Sequence, residues 1–229
     1  MSKPEFDDYS ASYEDLLKDP IRDSFAGNSL FFHVRKRDLV RDYFGSSGID
    51  PKQLRYLDVG CGKGELLSLL AGDFAHAAGC DPSTGMLQSV IGAEVRVQRD
   101  PARIPFGDGQ FDFITAVCVY HHVPPPLRPS LTAEVKRLLK PGGVFAIIEH
   151  NPWNPATRLI VSRTPVDADA ILLRASETRS LMRGAGFSIH RETYFLYLPE
   201  KVYSAARFLE TLLARVPLGG QYAIFGRLE

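Results

Sequence analysis

Three glycines at alternate positions follow a short apolar segment and give the clearest chemical signal in this chain of 229 residues. The segment reads Leu57-Asp58-Val59-Gly60-Cys61-Gly62-Lys63-Gly64-Glu65, and glycines at a strand-to-helix turn let the backbone bend tightly and approach a ligand. A dinucleotide fingerprint needs G-x-G-x-x-G, so the third glycine stands in the wrong place for a pyrophosphate. Asp58 would also repel a pyrophosphate, whereas it would attract an α-amino group or a sulfonium.

Two further carboxylates follow the next two predicted strands. Asp81 ends the second strand, where a carboxylate can accept hydrogen bonds from both ribose hydroxyls of a nucleoside. Asp100 ends the third strand and could accept the exocyclic amine of adenine. Taken singly, Asp58 or Asp81 could equally cap a helix. Helix capping does not explain why the glycine turn and these three acids occur in this order along the chain. Together they predict a positively charged ligand that contains a nucleoside.

A parallel sheet is needed to bring these side chains together. Apolar segments alternate with helix-forming segments, which favours an α/β fold with helices on both faces of a mostly parallel sheet. The predicted strands are residues 55–60, 75–81, 94–99, 111–119, 144–149, 187–196 and 222–228. The predicted helices among them are residues 65–71, 83–90, 131–140, 176–185 and 201–215, with Ser83 and Ser176 as N-caps. Ligands of such sheets bind at the carboxyl ends of the strands.

Residues 2–50 are predicted to be helical in pieces, with breaks at Pro4, Pro20 and residues 45–48. Residues 33–45 carry four basic side chains: Arg35, Lys36, Arg37 and Arg41. On a helix this pattern is more typical of a solvated face than of a binding site.

The overall composition limits the classes of partner. Lys plus Arg and Asp plus Glu both number 27, so the formal net charge is zero, which argues against a large nucleic-acid footprint. The 3 cysteines have no spacing typical of a disulfide framework or a zinc site, and no metal site is predicted. The N-terminal segment lacks the apolar core of a signal peptide, and no apolar run is long enough to cross a bilayer. We expect a cytoplasmic protein without nucleic-acid or membrane partners.

Four segments, in this order, resemble the successive motifs of class I S-adenosylmethionine (SAM)-dependent methyltransferases: LDVGCGKGE, GCDPSTGML, QRDPARIPFGDGQFDFI and LLKPGGVFAIIE. The resemblance covers residues 54–150 and implies a Rossmann-like sheet of seven strands in the order 3-2-1-4-5-7-6, with strand 7 antiparallel. It implies a single methyltransferase domain over residues 1–229, with an N-terminal helical cap (1–50), a SAM-binding core (54–150) and an acceptor side with the last two strands (151–229). The helical segment before the last strand departs from the short turn that is frequent in the family.

The resemblance also assigns the cofactor, SAM, which leaves as S-adenosylhomocysteine (SAH). The methionine part is assigned to Asp58, Gly60, Cys61 and Gly62, with the carbonyl of Val117 near its amine. The ribose and adenine are assigned to Asp81, Pro82, Met86, Asp100, Pro101 and Ala102. From the N-terminal segment, Tyr9, Tyr13 and Arg37 are expected to cover the methionine end.

The candidate catalytic residues are His122 and His150, which follow the fourth and fifth strands. A histidine near its ordinary pKa is a suitable general base for methyl transfer to a hydroxyl, although a His-His pair at this place also occurs as a structural feature in the family. Residues 149–186 resemble bacterial methyltransferases of the type 11/12 group, and Trp153 and Arg158 are candidate acceptor contacts.

The sequence thus predicts SAM-dependent methyl transfer, by in-line displacement, to a small molecule that it does not identify. Two other readings stay open at this stage. A SAM-binding partner or sensor protein without activity would share the cofactor motifs, and a nicotinamide oxidoreductase would share the sheet but not the glycine spacing. Monomer and homodimer are equally compatible with the sequence.

Overall fold

The computed structural model describes residues 5–100 and 103–229. Over these residues the strands are β1 (Arg55–Val59), β2 (His76–Asp81), β3 (Glu94–Val97), β4 (Phe111–Val117), β5 (Leu139–His150), β6 (Phe187–Phe195) and β7 (Gln221–Leu228). They form one sheet of 7 strands in the order β3-β2-β1-β4-β5-β7-β6. β7 runs antiparallel to β5 and β6, whereas the pairs from β3 to β5 are parallel. Both the predicted strand order and the reversed last strand are confirmed.

The helices are α1 (Glu5–Tyr9), α2 (Tyr13–Leu16), α3 (Pro20–Phe25), α4 (Ser29–Ser47), α5 (Glu65–Ala71), α6 (Thr84–Leu87), α7 (Arg128–Leu138), α8 (Pro155–Val161), α9 (Ala175–Gly184) and α10 (Glu200–Leu213). Short 3-10 turns cover Pro51–Gln53, Tyr120–His122, Pro125–Leu127 and Pro165–Asp167. α10 joins β6 to β7, so the predicted helix before the last strand is confirmed. Within the described ranges, none of the helices combines the length and the apolar character needed to cross a bilayer.

The central strands are apolar on both faces because helices cover both. Phe113 packs in one buried cluster with residues of α4 and α5, whereas its neighbour Ile114 packs in another with residues of α7 and α9. Successive side chains of a strand point to opposite faces, so the near-continuous apolar sequence of β4 supplies both cores. Burial of this apolar surface is the main favourable contribution to folding.

Two of the N-terminal helices, α3 and α4, begin at residues whose side chains cap them. Asp19 accepts a 2.8 Å hydrogen bond from the backbone nitrogen of Ile21, at the start of α3, and Asn28 caps α4 by accepting from Leu30 at 3.0 Å. The predicted break over residues 45–48 is wrong for its first three residues, since α4 continues to Ser47 and only Gly48, with φ of 69°, ends it.

Tertiary packing explains why α4 runs on. Tyr43 and Phe44 are buried against the sheet, and the hydroxyls of Ser46 and Ser47 donate to the carbonyls of those two residues at 2.9 and 3.0 Å. The serines therefore satisfy backbone acceptors within the helix instead of breaking it.

The expectation that the four basic residues of α4 form a solvated face is wrong for two of them. Arg35 and Lys36 are buried. The guanidinium of Arg35 donates to the carboxylate of Glu210 in α10 and lies 3.8 Å from the centre of the Tyr203 ring. Arg41 does lie on a solvated face, because its side chain is half exposed and pairs with Asp73 at 2.7 Å.

The boundaries of α7 and α9 also differ from expectation. Arg174, not Ser176, stands at the N-cap of α9, and its backbone nitrogen donates to Glu177 Oε2 at 2.7 Å. α7 begins at Arg128 and ends at Leu138, since the chain already pairs with β4 from Leu139 onward. Strand pairing therefore ends the helix before Pro141 is reached.

Candidate functional site

A cavity of about 1680 Å³ lies over the carboxyl ends of β1, β2, β4 and β5. The N-terminal helices and α8 supply its outer walls. Single-ligand pockets typically measure about 300–1,000 Å³, so this cavity has room for two molecules side by side.

The glycine turn after β1 forms one end of the cavity. Gly60 and Gly62 have φ of 69° and 54°, the left-handed region that other residues rarely adopt. A Cβ at Gly60 would lie 2.4 Å from a methyl group of Val119, whereas a Cβ at Gly62 would meet no heavy atom within 4 Å. The turn is thus packed on the Gly60 side, while the backbone at Gly62 has open space beside it.

Asp81 joins this turn to the next strand. Its Oδ2 accepts a 2.9 Å hydrogen bond from the backbone nitrogen of Gly62, and its Oδ1 accepts one of 2.8 Å from Ser83. Burial raises the pKa of Asp81, and the two backbone donors oppose that shift. Each oxygen keeps a second lone pair for a ligand hydroxyl.

Asp58 is almost fully buried beneath the same turn. The hydroxyl of Thr115 donates to its Oδ1 at 2.6 Å, and Tyr56 lies 2.8 Å from that hydroxyl. Burial raises the pKa of Asp58 to about 7, although the Thr115 hydrogen bond and the charge of Lys36 oppose the shift. A cationic ligand placed here would favour the ionised carboxylate.

Lys36 enters the cavity from α4, whereas Arg37 does not line it. The guanidinium of Arg37 binds Asp38 through Nε at 2.9 Å and Nη2 at 2.7 Å. Among residues 5–100 and 103–229, no hydrogen bond or ion pair engages the buried ammonium group of Lys36. This positive charge is available to an anionic group of a ligand.

α1 connects the two ends of the cavity. Asp7 Oδ1 accepts hydrogen bonds from the Ser83 hydroxyl at 2.5 Å and from the backbone nitrogen of Gly85 at 3.0 Å. One residue earlier, the ring of Phe6 meets the ring of His122 edge-on at 5.1 Å. The N-terminal helix therefore covers both the glycine end and the opposite, histidine-lined end.

At the histidine-lined end of the cavity, the fully buried Glu149 carboxylate contacts the backbone and a side chain of the turn after β4. Its Oε1 accepts from the backbone nitrogens of Val119 and Tyr120 at 3.0 and 2.7 Å, and its Oε2 lies 2.5 Å from Nδ1 of His121. Burial disfavours a charge on His121, yet the carboxylates of Glu149 and Asp167 raise its pKa well above the ordinary value.

Asp167 faces both histidines that follow β4. Its Oδ1 lies 3.5 Å from Nε2 of His121 and 3.5 Å from Nε2 of His122. His150 lies close by, with its ring 5.1 Å from that of His121 and its Nδ1 3.4 Å from the amide nitrogen of Gln221. Burial and the charge of His121 lower the pKa of His122 and of His150 to about 4, so both imidazoles are neutral at neutral pH.

Comparison with known proteins assigns the family. Residues 57–147 match the family described as methyltransferase domain. Over 152 residues the chain is 30% identical to an uncharacterized methyltransferase of Synechocystis sp., covering 63% of this chain and 71% of that relative. The chain belongs to the class I SAM-dependent methyltransferases. It is an enzyme that takes SAM as its cofactor.

Two further similarities place this methyltransferase among its relatives. It is 27% identical over 185 residues to a ubiquinone biosynthesis O-methyltransferase of Maricaulis maris, covering 71% of this chain and 70% of that one. Its fold is similar to that of a SAM-dependent methyltransferase from Thermotoga maritima, with a TM-score of 0.69, 19% identity and 98% of each chain covered.

The residues present fit SAM. The cofactor carries a sulfonium and an ammonium group, a carboxylate and a ribose with two hydroxyls. At the glycine end of the cavity, Asp58 supplies a buried carboxylate and Asp81 supplies two acceptor oxygens. Lys36 supplies an ammonium group that has no partner among the described residues. The open backbone at Gly62 allows a ligand to approach closely.

The structure brings most of the predicted site residues to this one cavity. Those that line it are Tyr13, Asp58, Gly60, Cys61, Gly62, Asp81, Pro82, Met86, Asp100, Val117, His122 and His150. Tyr9, Arg37, Trp153 and Arg158 do not line it. Pro101 and Ala102 lie outside the described residues.

Trp153 illustrates why an isolated aromatic residue is a weak signal. Its side chain is 58% exposed, and the guanidinium of Arg174 lies 5.2 Å from its ring centre. The Trp153 ring therefore packs at the surface under Arg174 and does not line the cavity.

Lys36, Asp167 and Gln221 are among the cavity residues that the sequence did not predict. Lys36 is one of four basic residues in this segment, and which of them is buried depends on how α4 packs. Asp167 lies in a 3-10 turn without a motif, and Asp169 two residues later is exposed. Gln221 lies one residue before the predicted last strand (222–228); it begins the observed β7, where it pairs with His150.

Proposed function

We propose that this methyltransferase transfers the methyl group of SAM to a hydroxyl oxygen of a quinone-type aromatic acceptor that carries an apolar chain. The observation that carries the proposal is the cavity itself, which joins the glycine turn to a cluster of neutral and charged histidines and to an apolar wall. The name of the Maricaulis maris relative, a ubiquinone biosynthesis O-methyltransferase, supports the same class of acceptor.

In this proposal residues 54–150 form most of the SAM site, residues 1–50 cover both SAM and the acceptor, and residues 151–229 lie on the acceptor side. Asp58 binds the ammonium group of the cofactor, with the Val117 carbonyl beside it, and Lys36 binds its carboxylate. The turn at Gly60, Cys61 and Gly62 faces the methionine part of SAM. Asp81 accepts the ribose hydroxyls, and Pro82, Met86 and Asp100 face the adenine. Tyr13 covers the methionine end in place of Arg37, whose guanidinium is held by Asp38.

The acceptor would occupy the part of the cavity away from the glycine turn. Its wall carries apolar side chains from α3, α4, α7 and α8 and from the end of β6: Phe25, Phe32, Leu131, Ile160, Val161 and Leu196. Such a wall favours an aromatic ring with an aliphatic substituent, because burial of apolar surface contributes about 25 cal/mol per Å². It gives no comparable advantage to a small polar acceptor.

SAM supplies a methyl group on a positively charged sulfur, and the enzyme must hold an acceptor oxygen in line with it. Correct positioning can contribute about 7–11 kcal/mol at best. We assign His122 to contact and orientation of the acceptor hydroxyl, and His150 to receive its proton. Both imidazoles are neutral in the free protein because the pKa of each lies at about 4. General base catalysis contributes about 10²- to 10⁴-fold when the pKa of the base lies near the working pH; because the pKa of His150 is lowered to about 4, its contribution is smaller than that expected of a histidine near its ordinary pKa.

The experiment offers the purified enzyme SAM with one of three acceptors: an alkyl catechol, a prenylated hydroxynaphthoquinol, or a primary alkylamine. SAH release and the mass of the product are measured. We expect an O-methylated product from at least one of the two phenols and none from the amine. His150→Gln should lower kcat with little change in the affinity for SAH, since we assign that side chain to the acceptor and not to the cofactor.

Methylation of the amine alone, or full activity of His150→Gln, would overturn the proposal. His190→Gln is the matched control, because His190 is exposed and lies outside the cavity. Its activity should equal that of the wild type.

A further inference from the structure

His121, His122 and Asp167 form the one group of three or more His, Cys, Asp or Glu side chains, among the described residues, whose ligand atoms lie mutually within 4.8 Å. Two of them come from the turn after β4 and the third comes from the 3-10 turn after α8. The group faces the acceptor end of the cavity. Its members are therefore accessible to a ligand, although His121 is buried and the other two are partly buried.

Two of the three distances within the group match those between ligands of one metal ion. Asp167 Oδ1 lies 3.5 Å from each of the two Nε2 atoms, which is longer than a typical hydrogen bond. Donors that surround a cation tetrahedrally at about 2.0–2.1 Å lie about 3.4 Å from one another. Asp167 Oδ1 thus lies at a suitable distance from each nitrogen to share an ion with it, and all three atoms lie within 4.8 Å of one another.

The surroundings of His121 are those of a histidine ligand. Glu149 Oε2 lies 2.5 Å from its Nδ1, and Glu149 is itself held by two backbone nitrogens. This contact orients the ring and turns Nε2 toward Asp167. Metal-binding histidines commonly donate their second nitrogen to a carboxylate in this way. The cation would replace the proton that His121 shares with Asp167.

We propose that His121 Nε2, His122 Nε2 and the carboxylate of Asp167 bind a divalent transition-metal ion at the acceptor end of the cavity. Two histidines and one carboxylate leave coordination positions open for oxygen ligands. A hydroxyl of the acceptor would take one of them, and the cation would lower the pKa of that hydroxyl. His150, which is not a ligand, would stay free to receive the proton. The role toward the acceptor rests on the proposed function, whereas the binding of the ion does not.

The test measures binding of the metal alone. The whole protein is stripped with a chelator, dialysed and titrated with ZnCl₂ by calorimetry and with CoCl₂ by visible absorption. We expect one equivalent of either ion to bind, with a Co²⁺ spectrum typical of a site with nitrogen and oxygen ligands. Asp167→Asn and His122→Ala should each weaken binding by at least about 100-fold, since loss of even an outer-sphere partner costs about 10- to 100-fold.

Asp169→Asn and His190→Ala are the matched controls, because both residues are exposed and outside the cavity. They should bind the ions like the wild type. Circular dichroism and SAH binding verify that each variant is folded. Absence of stoichiometric binding to folded wild-type protein, or unchanged affinity in both Asp167→Asn and His122→Ala, would overturn the site.

The same titration separates this site from the proposed function. Metal binding that depends on Asp167, without methylation of either phenol, would leave the metal site standing and remove the quinone-type acceptor. If the chelator-treated protein binds neither ion but methylates a phenol at an undiminished kcat, the proposed function stands and the metal site is ruled out.

Discussion

The hydroxyl of Thr115 on β4 donates a 2.6 Å hydrogen bond to Asp58 on the neighbouring strand β1, in the interior beneath the glycine turn. This bond favours the ionised carboxylate, but burial opposes it and holds the pKa at about 7. The acid that would meet the ammonium group of SAM is therefore partly protonated in the free enzyme at neutral pH.

The affinity for SAM should consequently depend on pH near neutrality. The ionised form of Asp58 is lost as the pH falls through about 7, and only that form attracts the ammonium group of the cofactor. Below this pKa we expect the affinity to fall by up to about tenfold per pH unit. The charges that surround Asp58 are those of Lys36, which stabilises the carboxylate, and of Asp81 and Glu65, which oppose it. Calorimetry with SAH from pH 5.5 to 8 measures the effect.

Asp58→Asn is the matched variant for this titration. It should bind SAH more weakly at pH 8 and show a nearly flat pH dependence. A dependence as steep as that of the wild type would assign the titrating group to another residue.

The same residue should limit the stability of the free enzyme. Because the folded-state pKa of Asp58 exceeds its ordinary value, the folded protein binds more protons than the unfolded chain between about pH 4 and 7. The contribution of this group to the free energy of unfolding therefore falls as the pH rises through that interval. At pH 8 we expect Asp58→Asn to be more stable than the wild type by on the order of a few kcal/mol, measured by urea denaturation without cofactor. Equal stability at pH 8 would contradict the raised pKa.

Asp81 should contribute to cofactor affinity through its two oxygens. Asp81→Asn keeps the shape of the side chain but replaces one acceptor by a donor, and loss of a hydrogen bond to a charged group costs about 1.5–3 kcal/mol. We expect SAH to bind about 10- to 150-fold more weakly. Asp23→Asn on the exposed side of α3 serves as the control. Binding of SAH at wild-type affinity by Asp81→Asn would remove this residue from the site.

Asp7 should retain the cofactor by holding α1 against α6. Its Oδ1 accepts from Ser83 and Gly85, next to the Asp81 carboxylate. Without these bonds α1 would open more often, so Asp7→Ala should speed the dissociation of SAH several-fold. Surface plasmon resonance with immobilised protein measures the dissociation rate. A rate equal to that of the wild type would show that α1 does not cover the bound cofactor.

Arg35 and Glu210 should stabilise the contact between α4 and α10. Both are buried, and Glu210 also accepts from the backbone nitrogens of Tyr197 and Leu198 at 2.8 and 3.1 Å. Glu210→Ala leaves the guanidinium of Arg35 buried without its counter-ion, which should cost about 3–5 kcal/mol in the free energy of unfolding. The double variant Arg35→Met/Glu210→Leu should be considerably more stable than Glu210→Ala. Equal destabilisation of the two would indicate that packing, not charge, holds the contact.

The sequence alone determined the sheet of this enzyme, the glycine turn and the acids at the carboxyl ends of β1 and β2. These features are local, because strand periodicity, glycine spacing and the position of an acid at a strand end are set by neighbouring residues. Parallel strands then bring their carboxyl ends to one edge, which explains why the cavity contains Asp58, Asp81, His122 and His150 as expected.

Only the tertiary structure decided which basic residue of α4 enters the cavity and which acid meets the histidines. Lys36 and Arg37 are adjacent and chemically similar, and the packing angle of α4 buries the first while the second pairs with Asp38. Asp167 reaches His121 and His122 because the 3-10 turn after α8 folds back over β4 and β5. Contacts between residues about 45 positions apart depend on how whole elements pack, and that packing leaves no local periodicity in the sequence.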